Sequence, residues 1–258
     1  MDDPIERGFN VTRMRKGTIM KKKIGVVPKA KFGDSSASNM VDYYYLGNNY
    51  IKRVTEAGCI PIGIAASDGW VSEDLLDLCD GFLVQGGQNF FPYHFQIIHH
   101  AVTKGKRYLG ICMGQQLIYA YFELRRRVEE RGYTGDLVKA ICRYRDEQGP
   151  DLSVLEAVPN HYSELLPRGS EDATKHDVNI VPGTLLHRVL GKDTMRIASY
   201  HHFHIPSAQK LLKINAWSAK DDGVVEGTEY GDNILGVQGH PEVDDLLPEL
   251  FQFLAGDA

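Results

Sequence analysis

In "YLGICMGQQLIYAYF" (108–122), one cysteine stands between two glycines, each two residues away. Cys112 follows an apolar run that reads as a strand (107–111) and precedes a run that reads as a helix (113–126). A nucleophile on so sharp a turn has a strained backbone, and the turn draws together the residues two positions before and after it. Gly110 and Gly114 remove the Cβ atoms that would collide there. The turn lifts the thiol clear of the sheet and sets it at the positive end of the helix, which favours thiolate. It also aims the Met113 N–H at any oxygen beside the sulfur. At this composition G-x-C-x-G is expected about 0.04 times by chance, so an inert cysteine at a tight turn is the weaker reading.

A thiol nucleophile needs a base, and the base needs an orienting group. Among the 10 histidines, His240 in "ILGVQGHPE" follows a strand, sits in a glycine-proline turn and has Glu242 two residues on. That spacing at a strand end lets both side chains enter one space, with the carboxylate fixing the imidazole tautomer. Alone, His240 reads as a turn residue; paired with the elbow at Cys112 it reads as a base.

The elements that must position these groups follow from periodicity. Strands are expected at 24–28, 60–65, 81–87 and 107–111, with helices at 39–57, after Ser72, at 93–104 and at 113–126. This alternation predicts a single α/β domain, a doubly wound, mostly parallel sheet with helices on both faces. Ligands bind at strand ends in such sheets, where Gly86-Gly87 and Cys112 both fall. Residues 127–175 read as charged and loop-rich, with a helix near 134–142. From 176 on, an added antiparallel β region is expected, with a turn at Gly231-Asp232-Asn233 and a closing helix over 242–254.

Composition sets the bounds. The chain has 258 residues, 43% hydrophobic and 24% charged, ordinary for a globular protein. A net charge of −5 opposes a broad nucleic-acid surface. The four cysteines show no CxxC pair, so reduced thiols, no metal site and a cytoplasmic location are expected. No apolar stretch nears the roughly 18 residues needed to span a membrane. Residues 1–22 read as a flexible basic tail with Arg13, Arg15, Lys16, Lys21 and Lys22, leaving 23–258 as the domain. "MKKKIGVVP" also allows Met20 as the translation start.

Together "GICMGQQ" and "GVQGHPE" resemble the class I glutamine amidotransferase-like superfamily, whose fold is flavodoxin-like. Three further stretches are similar to its γ-glutamyl hydrolase branch, peptidase family C26: "GFLVQGGQNFFPYHF", "HDVNIVPGTLLHRVLG" and "IASYHHFHI". The resemblance implies Cys112 as nucleophile, His240 as general base and acid, and Glu242 as orienting carboxylate. It also implies an oxyanion hole from the Gly87 and Met113 N–H groups. Gln116 would stand near the substrate, with Ser199 and His201 in the loop lining the γ-glutamyl pocket. Ala198 and Phe203 depart from the branch's usual asparagine and glutamine, and the turn after Gly87 is bulkier and less acidic. These positions shape the leaving-group side of the site.

The implied activity is cleavage of a small γ-glutamyl amine or peptide through a γ-glutamyl thioester, with no cofactor and no metal. A homodimer is suggested by the resemblance alone. Two alternatives stand beside it. One is a glutaminase component passing ammonia to a separate synthase. The other is a non-catalytic binding module of the same fold.

Overall fold

A computed structural model describes residues 20–31, 43–148, 154–158, 174–220 and 223–256. The basic tail up to residue 19 lies outside the described residues. In chain order the first elements are β1 (Lys23–Val27), β2 (Lys29–Lys31), β3 (Tyr43–Tyr45), α1 (Asn48–Glu56), β4 (Ile60–Gly63), α2 (Glu73–Leu78), β5 (Gly81–Val84), α3 (Pro92–Lys104), β6 (Arg107–Ile111) and α4 (Met113–Glu130). There follow α5 (Leu137–Gln148), β7 (Glu156–Ala157), β8 (Lys175–Ile180), α6 (Leu185–Leu190), β9 (Thr194–Ala198), β10 (Phe203–His204), β11 (Lys213–Ser218), β12 (Val225–Tyr230), β13 (Ile234–Val237) and α7 (Pro248–Ala255).

One 9-stranded sheet runs in the order β4-β1-β5-β6-β13-β12-β11-β8-β9. Its members from β4 to β13 are parallel, and those from β12 to β9 continue it antiparallel. The added β region is therefore an extension of the parallel sheet. The central strands "IGVV", "GFLV" and "ILGV" are wholly buried, as continuous apolar runs must be when both faces are covered. Alternate side chains divide between two layers. Phe82, Val84 and Tyr108 face the core under α2–α5, while Leu83, Leu109 and Ile111 face the core under α1, α6 and α7. No helix of the described residues is long and apolar enough to cross a membrane.

Several expected elements are redrawn. In place of one helix over 39–57, Tyr43–Tyr45 pairs as a strand with Lys29–Lys31, and the helix starts only after the extended Gly47; residues 39–42 lie outside the described residues. The helix near 134–142 spans Leu137–Gln148. The preceding α4 reaches Glu130, held by i,i+3 and i,i+4 pairs from Arg125, Arg126 and Arg127 to Glu123, Glu129 and Glu130. The closing helix begins at Pro248, with its fixed φ at the first turn, and not at 242. The short α6 is an addition to the expected elements: Thr184 caps its start through the His187 N–H and Gly191 ends it with φ 62°.

Candidate active site

Cys112 sits between β6 and α4 with φ 54° and ψ −106°, one of two non-glycine residues with positive φ among the described residues. Such a conformation persists only when its surroundings over-determine it. Here the Cys112 N–H donates to the Val237 carbonyl at 2.8 Å. Its carbonyl accepts from the N–H groups of Gln115 and Gln116 at 3.0 and 3.1 Å. The two flanking glycines are required by close approach. A Cβ on Gly110 would overlap the Gly114 carbonyl and come within 2.8 Å of the Gln115 nitrogen, and one on Gly114 would overlap the Val84 carbonyl of β5. The Tyr108 hydroxyl donates to the Gly114 carbonyl at 2.9 Å and ties the elbow to its own strand.

The partner strand supplies the histidine. β13 lies parallel to β6 with Val237 opposite Ile111, so the chain leaves both strands at one edge. The turn carrying His240 is fixed by its N–H to the Ala198 carbonyl at 2.8 Å. His240 Nδ1 and Glu242 Oε1 are 2.7 Å apart. With Nδ1–H donated to the carboxylate, Nε2 is the atom left for the sulfur. It is buried and makes no well-formed hydrogen bond.

Charge at this pair follows its surroundings. Burial alone would lower the His240 pKa, but the Glu242 carboxylate and the Cys112 sulfur outweigh it and hold it well above the ordinary imidazole value. Burial alone would raise the Glu242 pKa, but His240 and the Tyr50 hydroxyl outweigh it and hold it below the usual carboxylate value. The imidazolium–carboxylate form is thus the favoured one.

The cysteine and histidine open into one cavity of about 530 Å³ whose lining also includes Gly87, Met113, Gln116 and His201. Cys112 is 6% exposed, so the sulfur meets the cavity through a narrow face. Gly87 and Met113 lie against each other: a Cβ on Gly87 would be 2.9 Å from Met113 Sδ. Among the described residues no acceptor takes either N–H. The Gln116 side-chain amide donates to the Phe203 carbonyl at 2.8 Å and to Gln238 Oε1 at 3.2 Å, which orients its remaining oxygen. His201 Nδ1 pairs with the Phe203 carbonyl at 3.0 Å. Glu242 stands behind His240. Ser199 is buried outside the lining, its N–H donating to the Thr174 carbonyl at 3.0 Å.

Tyr50, His94 and Lys29 contribute to the site beyond what local spacing reveals, and Gly86, expected at a strand end with Cys112, takes a specific part in it. The Tyr50 hydroxyl, from α1, accepts the Gly86 N–H at 3.1 Å and adjoins Glu242. Gly86 leaves room for the imidazole, since a Cβ there would lie 2.8 Å from His240 Cε1 and 3.3 Å from Cys112 Cβ. His94 lines the cavity as a neutral ring, its pKa lowered to about 3 by burial and by Arg145, with Nδ1 accepting the Phe91 N–H at 3.0 Å. Lys29 is a lining cation.

The Peptidase C26 family model matches residues 23–108 and 93–242, and the chain belongs to that family. It is 29% identical over 233 residues to Protein NtpR of Enterococcus hirae, covering 81% of this chain and 85% of that protein. The fold is similar to the glutaminase domain of Trypanosoma brucei CTPS, solved with bound acivicin, at TM-score 0.56 and 16% identity over 91% of this chain and 93% of that one. It is also similar to a candidate GMP synthase component of Thermoplasma acidophilum, at TM-score 0.51 and 17% identity over 92% and 94%. The fold is thus that of the class I glutamine amidotransferases, and the family is one of amide-bond hydrolases.

Proposed function

We propose that this Peptidase C26 chain hydrolyses the γ-glutamyl amide bond of a small conjugate through a thioester on Cys112. The observation that carries the proposal is the meeting at one cavity of a strained cysteine elbow and a histidine held 2.7 Å from a buried carboxylate.

The proposed steps are these. The Cys112 sulfur attacks the side-chain carbonyl carbon, and the carbonyl π electrons move to oxygen. The Gly87 and Met113 N–H groups donate to that oxyanion; one such donor is worth about 3 kcal/mol of barrier. The tetrahedral species collapses with cleavage of the C–N bond. His240 Nε2–H gives its proton to the leaving nitrogen, leaving the γ-glutamyl thioester. Water then attacks the thioester while His240 Nε2 takes its proton, and glutamate leaves as the sulfur is restored. Glu242 keeps Nε2 turned toward the reacting atoms and stabilises the ring when it is charged.

A second reading is a glutaminase component that hands ammonia to a separate synthase; the glutaminase domain among the solved relatives raises it. The same thiol, imidazole and carboxylate would serve, with glutamine as substrate. One experiment separates the two. Purified protein is given γ-glutamyl amines and glutamine, and free glutamate is measured. Release from γ-glutamyl amines by the protein alone is the expected result. Release from glutamine only, and only with an added synthase, would replace the hydrolase by the glutaminase component.

A further inference from the structure

We propose that Lys29 binds a carboxylate of the substrate, so that the amide this site accepts carries a free carboxylate near the scissile bond. The proposal deepens the hydrolase reading above and rests on it for the identity of the bond cleaved.

Lys29 opens β2 and lines the same cavity as Cys112 and His240. Its stem lies along the turn that carries Gly87: a Cβ on that glycine would be 3.9 Å from Lys29 Cγ. Its ammonium is 5.9 Å from the centroid of the Tyr45 ring, which also lines the cavity. Among the described residues no carboxylate pairs with it. The other ionisable side chains of the lining among the described residues are Tyr45, Cys112, Tyr200 and the histidines His94, His201, His202 and His240, with no aspartate or glutamate among them.

Two consequences follow. A half-buried ammonium without a counter-ion is costly, and a ligand carboxylate would relieve that cost. Burial already lowers the Lys29 pKa, and the charges of Glu242 and Cys112 oppose the shift, so the cation senses the reacting groups. A cationic leaving amine, by contrast, finds no carboxylate among the described residues of the lining. The carboxylate has two sources of the same chemistry: the α-carboxylate of the γ-glutamyl group, or a carboxylate on the departing amine.

The first measurement needs no turnover. Cys112 is alkylated with anionic iodoacetate and with neutral iodoacetamide in wild type, Lys29→Met and Lys29→Arg. The methionine variant should lose about tenfold in the iodoacetate rate, keep the iodoacetamide rate, and be rescued by arginine. An unchanged ratio of the two reagents would overturn the proposal, whatever the true substrate. The second measurement assigns the source. γ-Glutamyl-glycine is compared with γ-glutamyl-methylamine, which lacks the leaving-group carboxylate, and with 4-aminobutyryl-glycine, which lacks the α-carboxylate. The wild-type preference that collapses in Lys29→Met names the carboxylate bound. Turnover of these amides with no preference dependent on Lys29 would overturn the proposal and leave the hydrolase reading intact. No turnover by wild type would count against that reading, and the alkylation ratio would still decide the role of Lys29.

Discussion

The Tyr50 hydroxyl accepts the Gly86 N–H at 3.1 Å and helps to hold the Glu242 pKa below the usual carboxylate value. One phenol thus bonds the glycine turn after β5 and acts on the carboxylate that holds the imidazole. Tyr50→Phe removes both effects with little change in volume. The expected result is a fall in kcat of up to about tenfold, since a neutral hydrogen bond is worth about 0.5–1.5 kcal/mol. Glu242 loses a donor that lowers its pKa, so the acid limb of the pH–rate profile should move to higher pH. A wild-type profile would remove Tyr50 from the positioning of the site.

Gly86→Ala tests the space beside the histidine. The new Cβ would lie 2.8 Å from His240 Cε1, so the ring must shift from its place near the sulfur. Turnover should fall by about a hundredfold, because small misplacements of reacting groups are expensive. The unfolding midpoint should change little. Kinetics and thermal denaturation on the same preparation check both halves.

The strain at Cys112 has a thermodynamic signature separate from activity. At φ 54° and ψ −106°, alanine keeps the strain of an L side chain and glycine sheds it. Cys112→Gly should therefore be more stable than Cys112→Ala by about 1 kcal/mol, after the entropy cost of glycine is taken off. Both should be inactive. Urea unfolding of the two variants measures the difference; equal stabilities would mean that the elbow is relaxed.

The His240–Glu242 pair predicts a pH window for stability. Glu242 is held below its ordinary value of 4.5, so its contribution is present above that pH and lost as pH falls through the folded value. His240 is held above 6.5, so its contribution is complete below 6.5 and lost as pH rises through the folded value. The advantage of wild type over Glu242→Gln should therefore peak between pH 4.5 and 6.5 and shrink on both sides. Melting curves across pH test this. In activity, Glu242→Gln should be slowed less than His240→Ala, since orienting a ring is a smaller task than moving its proton.

Much of this is legible in the sequence, for physical reasons. Cys112 carries its strain and its glycines within five residues, and His240 carries its carboxylate two residues on, so local spacing reveals each. The strands at 24–27, 81–84 and 107–111 are apolar runs that require two covered faces, so the sheet can be inferred before its order is known. The rest depends on contacts between distant segments. Tyr50 and Lys29 reach the site because of how the segments around β1, β5 and β6 are brought together in the sheet, and sequence periodicity says nothing of that order. Tyr43–Tyr45 looks helical by spacing, but pairing with Lys29–Lys31 supplies its backbone hydrogen bonds and overrides the local pattern.

The hydrolase reading stands or falls on a γ-glutamyl thioester at Cys112. Wild-type protein quenched in acid during turnover of a γ-glutamyl amide, digested and analysed by mass spectrometry, looks for it directly. The expected result is a γ-glutamyl adduct on the Cys112 peptide, absent from Cys112→Ala, which should release no glutamate. An adduct elsewhere, or glutamate release by Cys112→Ala at the wild-type rate, would contradict it.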